Sequence, residues 1–551
     1  MNFKKAFLTQ QIITYLGNKR KLLPAIYQEI KEIIKLDKTL EHKLKTNEAI
    51  FYDAFSGSGI VARLAREMGL RVCANDLESY AYPINKSFLE ITEAELEKVM
   101  LPVYNWLCSK YQLSHISGCS YEKIIKFLNT LENPKVKYFS THYAPKDTNN
   151  PCFDSERLFY TQENARKLDC WSEIIHDPFM TNHSTAKSIL AASVLYVMGK
   201  QINTSGVMKG FHNGWGGRSG AALGRILSTM VLETLPLSNN ICGKAYQGDA
   251  TETLKLIDDV DIIYADPPYN QHQYGANYHL LTTFWNNDKY DPGPVDKGTR
   301  AGIRTDHNRS KYAQAKAASA AFSNFVNEVN KKAKYVIVSY NNEGLIAPDE
   351  MLKILSNDYK NNIKVVPIKH DKFKGGKSTQ TSNQVVEYLF IACINKNQSK
   401  AELRNISESL SSITKKTIFV DSYVDPTALK ELFSVEPLKK GWCVKNDYGW
   451  YAVINKNRKI TEASSQSLPE KEQKLLLDST LTKEELLNIY ILEKNWNAAI
   501  KTLKAFKLKR DLDIFKRNAI IIRNALKLEK NEKMLEKITS LYQSILKEKL
   551  E

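Results

Sequence analysis

Residues 261–270 read DIIYADPPYN, an apolar run closed by an acid, two prolines, a tyrosine and an asparagine. Ile262-Ile263-Tyr264-Ala265 has the length and β-branched content of a strand buried on both faces. Pro267-Pro268 cannot donate to a ladder, so the strand has to end there. A residue that precedes proline is kept out of helical geometry, which holds Asp266 and the next carbonyls extended at the rim of a sheet. That rim is where open α/β sheets take their ligands. Asp266, the Pro267 carbonyl and the Tyr269 ring thus form a rigid group of two acceptors and a flat wall.

Three further stretches carry residue types suited to a small ligand. FYDAFSGSGIVARLA (51–65) puts Asp53 at a strand end and Phe55, Gly57 and Gly59 just before a helix. Glycines there let the backbone turn sharply and approach a ligand that a Cβ would repel, although a tight turn with no ligand reads the same way. Ile60-Val61-Ala62 brings no third glycine, so the pattern falls short of the dinucleotide fingerprint and points to a ligand without phosphates. RVCAND (71–76) ends the next strand in Asp76, about twenty residues beyond the glycines, where an acid accepts from ribose hydroxyls or caps a helix. YLGNKRKLLP (15–24) offers Tyr15 and Lys19 ahead of a helix; the lysine could meet a ligand carboxylate or stand in solvent.

In order and spacing, Tyr15-Leu16-Gly17-Asn18-Lys19, Asp53-Ala54-Phe55-Ser56-Gly57-Ser58-Gly59, Asp76 and Asp266-Pro267-Pro268-Tyr269 resemble the Dam-like, alpha-ordered group of N6-adenine-specific DNA methyltransferases, over about residues 8–395. Asn18 departs from the usual second glycine of that group. The resemblance implies S-adenosylmethionine as cofactor and no metal. It implies that Lys19 takes the cofactor's carboxylate, with Tyr15 near its cationic methionine part. Asp53 and Gly57 would line the methionine portion and Asp76 the ribose, with Phe55, Gly59 and Asp266 also on the cofactor. Asp249, in YQGDATETL, would face the adenine unless it only caps a turn. Asp266 and the Pro267 carbonyl would accept both hydrogens of the target amine, whose lone pair is delocalised into the ring, and Tyr269 would stack on the flipped base. Arg300, Arg304 and Arg309, in the basic stretch 297–315, are expected on DNA phosphates.

These motifs need a particular set of elements to hold them. An α/β fold is expected: a Rossmann-like S-adenosylmethionine-dependent methyltransferase sheet with a helical target-recognition insert and a mainly helical C-terminal extension. A helix over 20–35, strands at 49–55 and 71–75 and a helix at 60–68 make the first part of the methyltransferase domain (1–90). A helical insert follows (91–240). Strands at 259–265, 335–340, 363–368 and 385–394 complete the sheet in the second part (241–400), and 401–551 is an accessory piece of short mixed segments, then helices.

The chain has 551 residues, 43% of them apolar and 10% aromatic, which excludes a disordered protein. A net charge of +17 suits a polyanionic partner, here double-stranded DNA. The eight cysteines are scattered without metal spacing and fit reduced thiols. No apolar run reaches the roughly 18 residues of a membrane span, and the start lacks a secretory pattern, so a cytoplasmic location is expected. His272 and His279 lack further ligands for a metal. No fused nuclease motif is visible, which leaves a separate restriction endonuclease as a possible partner. Methylation of RNA adenine or of DNA cytosine at N4 would use nearly the same pocket, and a silent DNA-binding protein on this fold is the alternative of another class.

Overall fold

The structure is a computed structural model. It describes all residues except 1–6, 9–16, 114–117, 218–219, 221, 297, 372–383, 420–422, 427, 432, 440, 446–450, 464–480, 504–511, 530 and 551. Tyr15 lies outside the described residues.

The chain packs as two units: Met1–His370 with Val385–Ser407, and Glu408–Glu551 with Asp371–Gln384. The first holds a seven-stranded sheet of β1 (Ile50–Asp53), β2 (Arg71–Asp76), β3 (Lys244–Gln247), β4 (Val260–Ala265), β5 (Ala333–Asn341), β6 (Asn362–Asp371) and β7 (Gln384–Cys393), in the order β3-β2-β1-β4-β5-β7-β6. Strands β3, β2, β1, β4 and β5 run parallel, and β7 runs antiparallel to β5. From β1 the chain steps to β2 and β3 on one side, and β4 then opens the other. The order therefore reverses between β1 and β4, which makes their carboxyl ends a topological switch point. β4 is buried along its whole length, which suits the apolar Ile262–Ala265, and its one acid, Asp261, is paired with Lys43 at 2.8 Å.

The helix Leu23–Leu36 buries Ile26, Ile30 and Ile33 against the sheet, one face of a 3.6-residue period. Its first turn is preceded by a short 3-10 segment, Lys19–Leu22, so the helix expected from residue 20 starts three residues later. The helix Ile60–Glu67 is entered through Gly59 at φ 74°. The described residues of the insert between β2 and β3 contribute helices, among them Leu96–Tyr111, Ser120–Thr130, Gln162–Ile175 and Ser184–Lys200, around a core that includes Trp171 and Leu190.

β3 is not anticipated by the sequence. It is four residues long, ends in Lys244 and Gln247, and pairs only with β2 at the sheet edge, so it has no apolar run to betray it. A helix over Lys400–Phe419 also stands where short mixed segments are expected. In the second unit, β8 (Ser434–Leu438), β9 (Gly441–Lys445), β10 (Tyr451–Asn455) and β11 (Ile460–Ala463) form an antiparallel sheet. Helices Lys483–Leu492, Trp496–Leu503, Leu512–Leu528 and Glu532–Leu550 pack around Leu487, Leu503, Phe515 and Ile522. Among the described residues, no helix is long and apolar enough to cross a membrane.

Candidate active site

Asp53 pairs in register with Tyr264 across β1 and β4, and the Ala54 N–H donates to the Tyr264 carbonyl at 2.9 Å. The bend after β1 and the DPPY segment after β4 therefore leave the sheet side by side. Between them opens a cavity of about 460 Å³ lined by Gly17, Asp53, Gly57, Asp76, Asp266 and Tyr269, among others. Stretches separated by up to 250 residues thus share one wall.

The glycine bend is built by its neighbours. Gly57 at φ 50° and Gly59 at φ 74° adopt left-handed backbone that side chains resist, and a Cβ on Gly59 would come 2.5 Å from Asn85 Oδ1. Asn85 donates to Ser56 Oγ at 2.9 Å, and Asn75 ties Ala54 to Gly248 through its amide. The Gly57 N–H donates to Asp76 Oδ2 at 2.7 Å and the Glu78 N–H to Asp76 Oδ1 at 2.9 Å. Asp76 is thus a junction of two turns rather than a helix cap, with acceptor capacity left over for a ligand. Burial pushes its carboxyl up to about 6, and burial together with Asp76 pushes Glu78 up to about 8.

Asp53 is the strained member of the group. It is 1% exposed, and neither carboxylate oxygen has a hydrogen-bond partner of good geometry. Burial first, then Asp266 and Asp76, hold its carboxyl well above the usual range. An orphaned acid at the wall of a cavity calls for a cation or a donor from a ligand. S-adenosylmethionine, with an ammonium and a sulfonium, supplies cations, and a bend that admits only glycine leaves backbone close to the ligand. The residues present therefore fit that cofactor.

Lys19 is held by two carboxylates. Its Nζ lies 2.9 Å from Asp266 Oδ1, 2.9 Å from Glu387 Oε1 and 3.3 Å from the Gly17 carbonyl, with 6% of the side chain exposed. An ammonium has three donors, and these acceptors use all of them. Two carboxylates against one cation also leave the cluster net negative, which opposes a third carboxylate. Lys19 therefore anchors Asp266 and ties it to Glu387. Burial alone would depress its ammonium, but Asp266 and Glu387 raise it well above its ordinary value. Burial pushes Asp266 up to about 6, with Lys19 lowering and Glu387 raising it.

Tyr269 lines the cavity with Pro267 and Tyr274, and the Lys19 ammonium lies 5.6 Å from its ring centroid. Gly17, at φ 78°, brings its backbone close to the hydroxyls of Tyr269 and Tyr274. Phe55 is at the wall, edge-on to Tyr312 at 4.9 Å. Asp249 also lines the cavity, and it caps the helix Ala250–Lys255 by accepting from Thr251 and Glu252. His279 is fully buried, with Nε2 at 2.9 Å from the Met208 carbonyl.

The three arginines separate. Arg304 is 3% exposed and bound by Asp288 and Asp306 through both guanidinium edges, so it holds its loop together and has no face for a phosphate. Arg300 donates from Nη2 to the Phe153 carbonyl and to Asn213 Oδ1 and lies over the Phe211 ring, which ties it between loops. Arg309 is exposed at the cavity mouth.

Glu387, Glu78 and Tyr274 are site residues that the motifs did not name. Glu387 carried a signal: it is the single acid inside the apolar strand VVEYLFI, and a buried charge needs a partner.

Residues 15–354 match the family described as D12 class N6 adenine-specific DNA methyltransferase. The chain is 28% identical over 387 residues to the type II methyltransferase M.NlaIII of Neisseria lactamica, covering 69% of this chain and 98% of that protein. It is 27% identical over 390 residues to M.CviAII of Paramecium bursaria Chlorella virus 1, again covering 98% of that relative. With M.FokI of Planomicrobium okeanokoites the identity is 27% over 389 residues, and the match spans 52% of that longer protein.

Proposed function

The chain belongs to the D12 class N6 adenine-specific DNA methyltransferases, and we propose that it methylates adenine at the cleft between the ends of β1 and β4, with Asp266, Pro267 and Tyr269 on the base and Asp53, Gly57 and Asp76 on S-adenosylmethionine. When bound, that cofactor supplies an electrophilic methyl group on a sulfonium. Everything else falls to the protein. The Gly57–Gly59 bend admits the ligand's backbone-facing side, Asp76 has acceptors left for ribose hydroxyls, and Asp53 offers an unpaired carboxylate to a cationic part.

On the adjoining wall, Asp266 is anchored through Oδ1 by Lys19, which leaves Oδ2 for the adenine amine. The Pro267 carbonyl is the second acceptor. Two acceptors draw the amine's hydrogens out of the ring plane, so its lone pair turns toward the methyl group. Tyr269 offers a face on which a base flipped out of duplex DNA stacks, worth roughly 1–3 kcal/mol. The two rigid prolines keep ring and acceptors in one geometry.

The observation that carries this reading is the placement of Asp266 and the unpaired Asp53 on adjoining walls of one cavity. The test is incubation with duplex DNA and S-adenosylmethionine followed by mass spectrometry of the nucleosides. N6-methyladenine is expected; N4-methylcytosine, or product only on RNA, contradicts it. The names of the relatives support a role as the modification half of a restriction pair, with a separate endonuclease as partner, and a DNA substrate supports a cytoplasmic site of action.

A further inference from the structure

Glu387 stands on β7 and is 4% exposed. Its Oε1 accepts from Ser339 Oγ at 2.9 Å and from Lys19 Nζ at 2.9 Å. Ser339 belongs to β5, whose other neighbour is β4, the strand that presents Asp266. One buried ammonium is therefore shared between two carboxylates, of which Asp266 lines the cavity and Glu387 backs it. With a single carboxylate, a lysine at 2.9 Å would neutralise it and weaken it as an acceptor.

We propose that Glu387 is a positioning residue for methyl transfer: by sharing the Lys19 ammonium it preserves the acceptor strength of Asp266 toward the adenine amine, while Lys19 keeps the carboxylate anchored. This rests on the reading of Asp266 as the amine's acceptor. Facing Asp266 are Lys19 ahead of the first helix, Glu387 on β7, Asp53 on β1, Tyr264 on β4, and Tyr269 and Tyr274 on the segment after β4, with Glu343 beyond Tyr269. Lys19 is the charge in contact with it, so altering what else holds Lys19 should alter Asp266 first.

Glu387 and its donor Ser339 permit a paired test. Glu387→Gln gives the whole ammonium to Asp266, so the acid limb of the kcat profile should move down by about one pH unit. Above that limb kcat should fall about tenfold, with the KM for DNA and for S-adenosylmethionine unchanged. Ser339→Ala removes a donor from Glu387, which then competes harder for Lys19, and the acid limb should move up. Glu387→Asp should recover part of the loss. A purely structural role gives no opposite displacement, so limbs that stay in place or move together in the two variants overturn the proposal. If Glu387→Gln does not fold, Ser339→Ala still decides by the direction of its shift. Asp266→Ala separates the two readings: if it turns over normally, the acceptor role fails; if it is inactive while Glu387→Gln matches the wild type, only the role of Glu387 fails.

Discussion

The backbone N–H of Gly57 donates to Asp76 Oδ2 at 2.7 Å, which joins the bend after β1 to the end of β2. A single carboxylate therefore shapes the side of the cleft proposed for the cofactor. Asp76→Ala is expected to weaken S-adenosylmethionine about 10- to 100-fold, since a lost charged hydrogen bond costs roughly 1.5–3 kcal/mol. Titration calorimetry with the cofactor checks this, and binding to a duplex oligonucleotide should change little.

Gly59 sits at φ 74° with Asn85 Oδ1 in the space of its missing Cβ. Gly59→Ala is expected to destabilise the protein by about 1–3 kcal/mol through backbone strain and that clash. Adding Asn85→Ala should recover only the clash. Thermal melts of the single and double variants measure the two parts.

Much of the sheet was legible because its central strands are apolar on both faces, and Ile262–Ala265 ahead of two prolines shows both the strand and its end. The glycine bend, Asp76 and DPPY were legible as motifs because each needs particular residue types within a few positions. What was not legible depends on pairing across the chain. Lys19 reads as a candidate for a ligand's carboxylate until β7 brings Glu387 to it. Arg304 reads as a phosphate contact until Asp288 and Asp306 close on it. β3 is too short and too polar to show a period at all.

Glu78 links the site to pH-dependent stability. Its carboxyl rises from an ordinary 4.5 to about 8 in the fold. A group raised in the folded state stabilises fully below its unfolded value and loses that contribution as pH climbs through the folded value. Glu78→Gln, neutral at every pH, should therefore raise the melting temperature at pH 9 by a few degrees and leave it nearly unchanged at pH 4.5. Asp76, raised from 3.8 to about 6, adds a loss of the same sign at lower pH. Melts across that range decide, and an undiminished decline in the variant contradicts the assignment.

Arg304 and Arg309 are expected to fail in different ways. Arg304→Ala removes a buried side chain from two solvent-reachable carboxylates and should cost stability on the order of 1 kcal/mol, with the post-β4 loop loosened. Arg309→Ala should leave the melt intact, weaken DNA binding, and lower the salt dependence of that binding by about one unit of slope. Fluorescence anisotropy at several salt concentrations, read beside the melts, distinguishes them.

The role proposed for Asp266, at the end of β4, is to prepare the adenine amine for transfer. It is tested most directly by single-turnover methylation of a duplex with Asp266→Ala, alongside cofactor and DNA binding by the same protein. A rate reduced about 10²- to 10⁴-fold is expected, with both ligands still bound. A variant that binds both and methylates at the wild-type rate contradicts it.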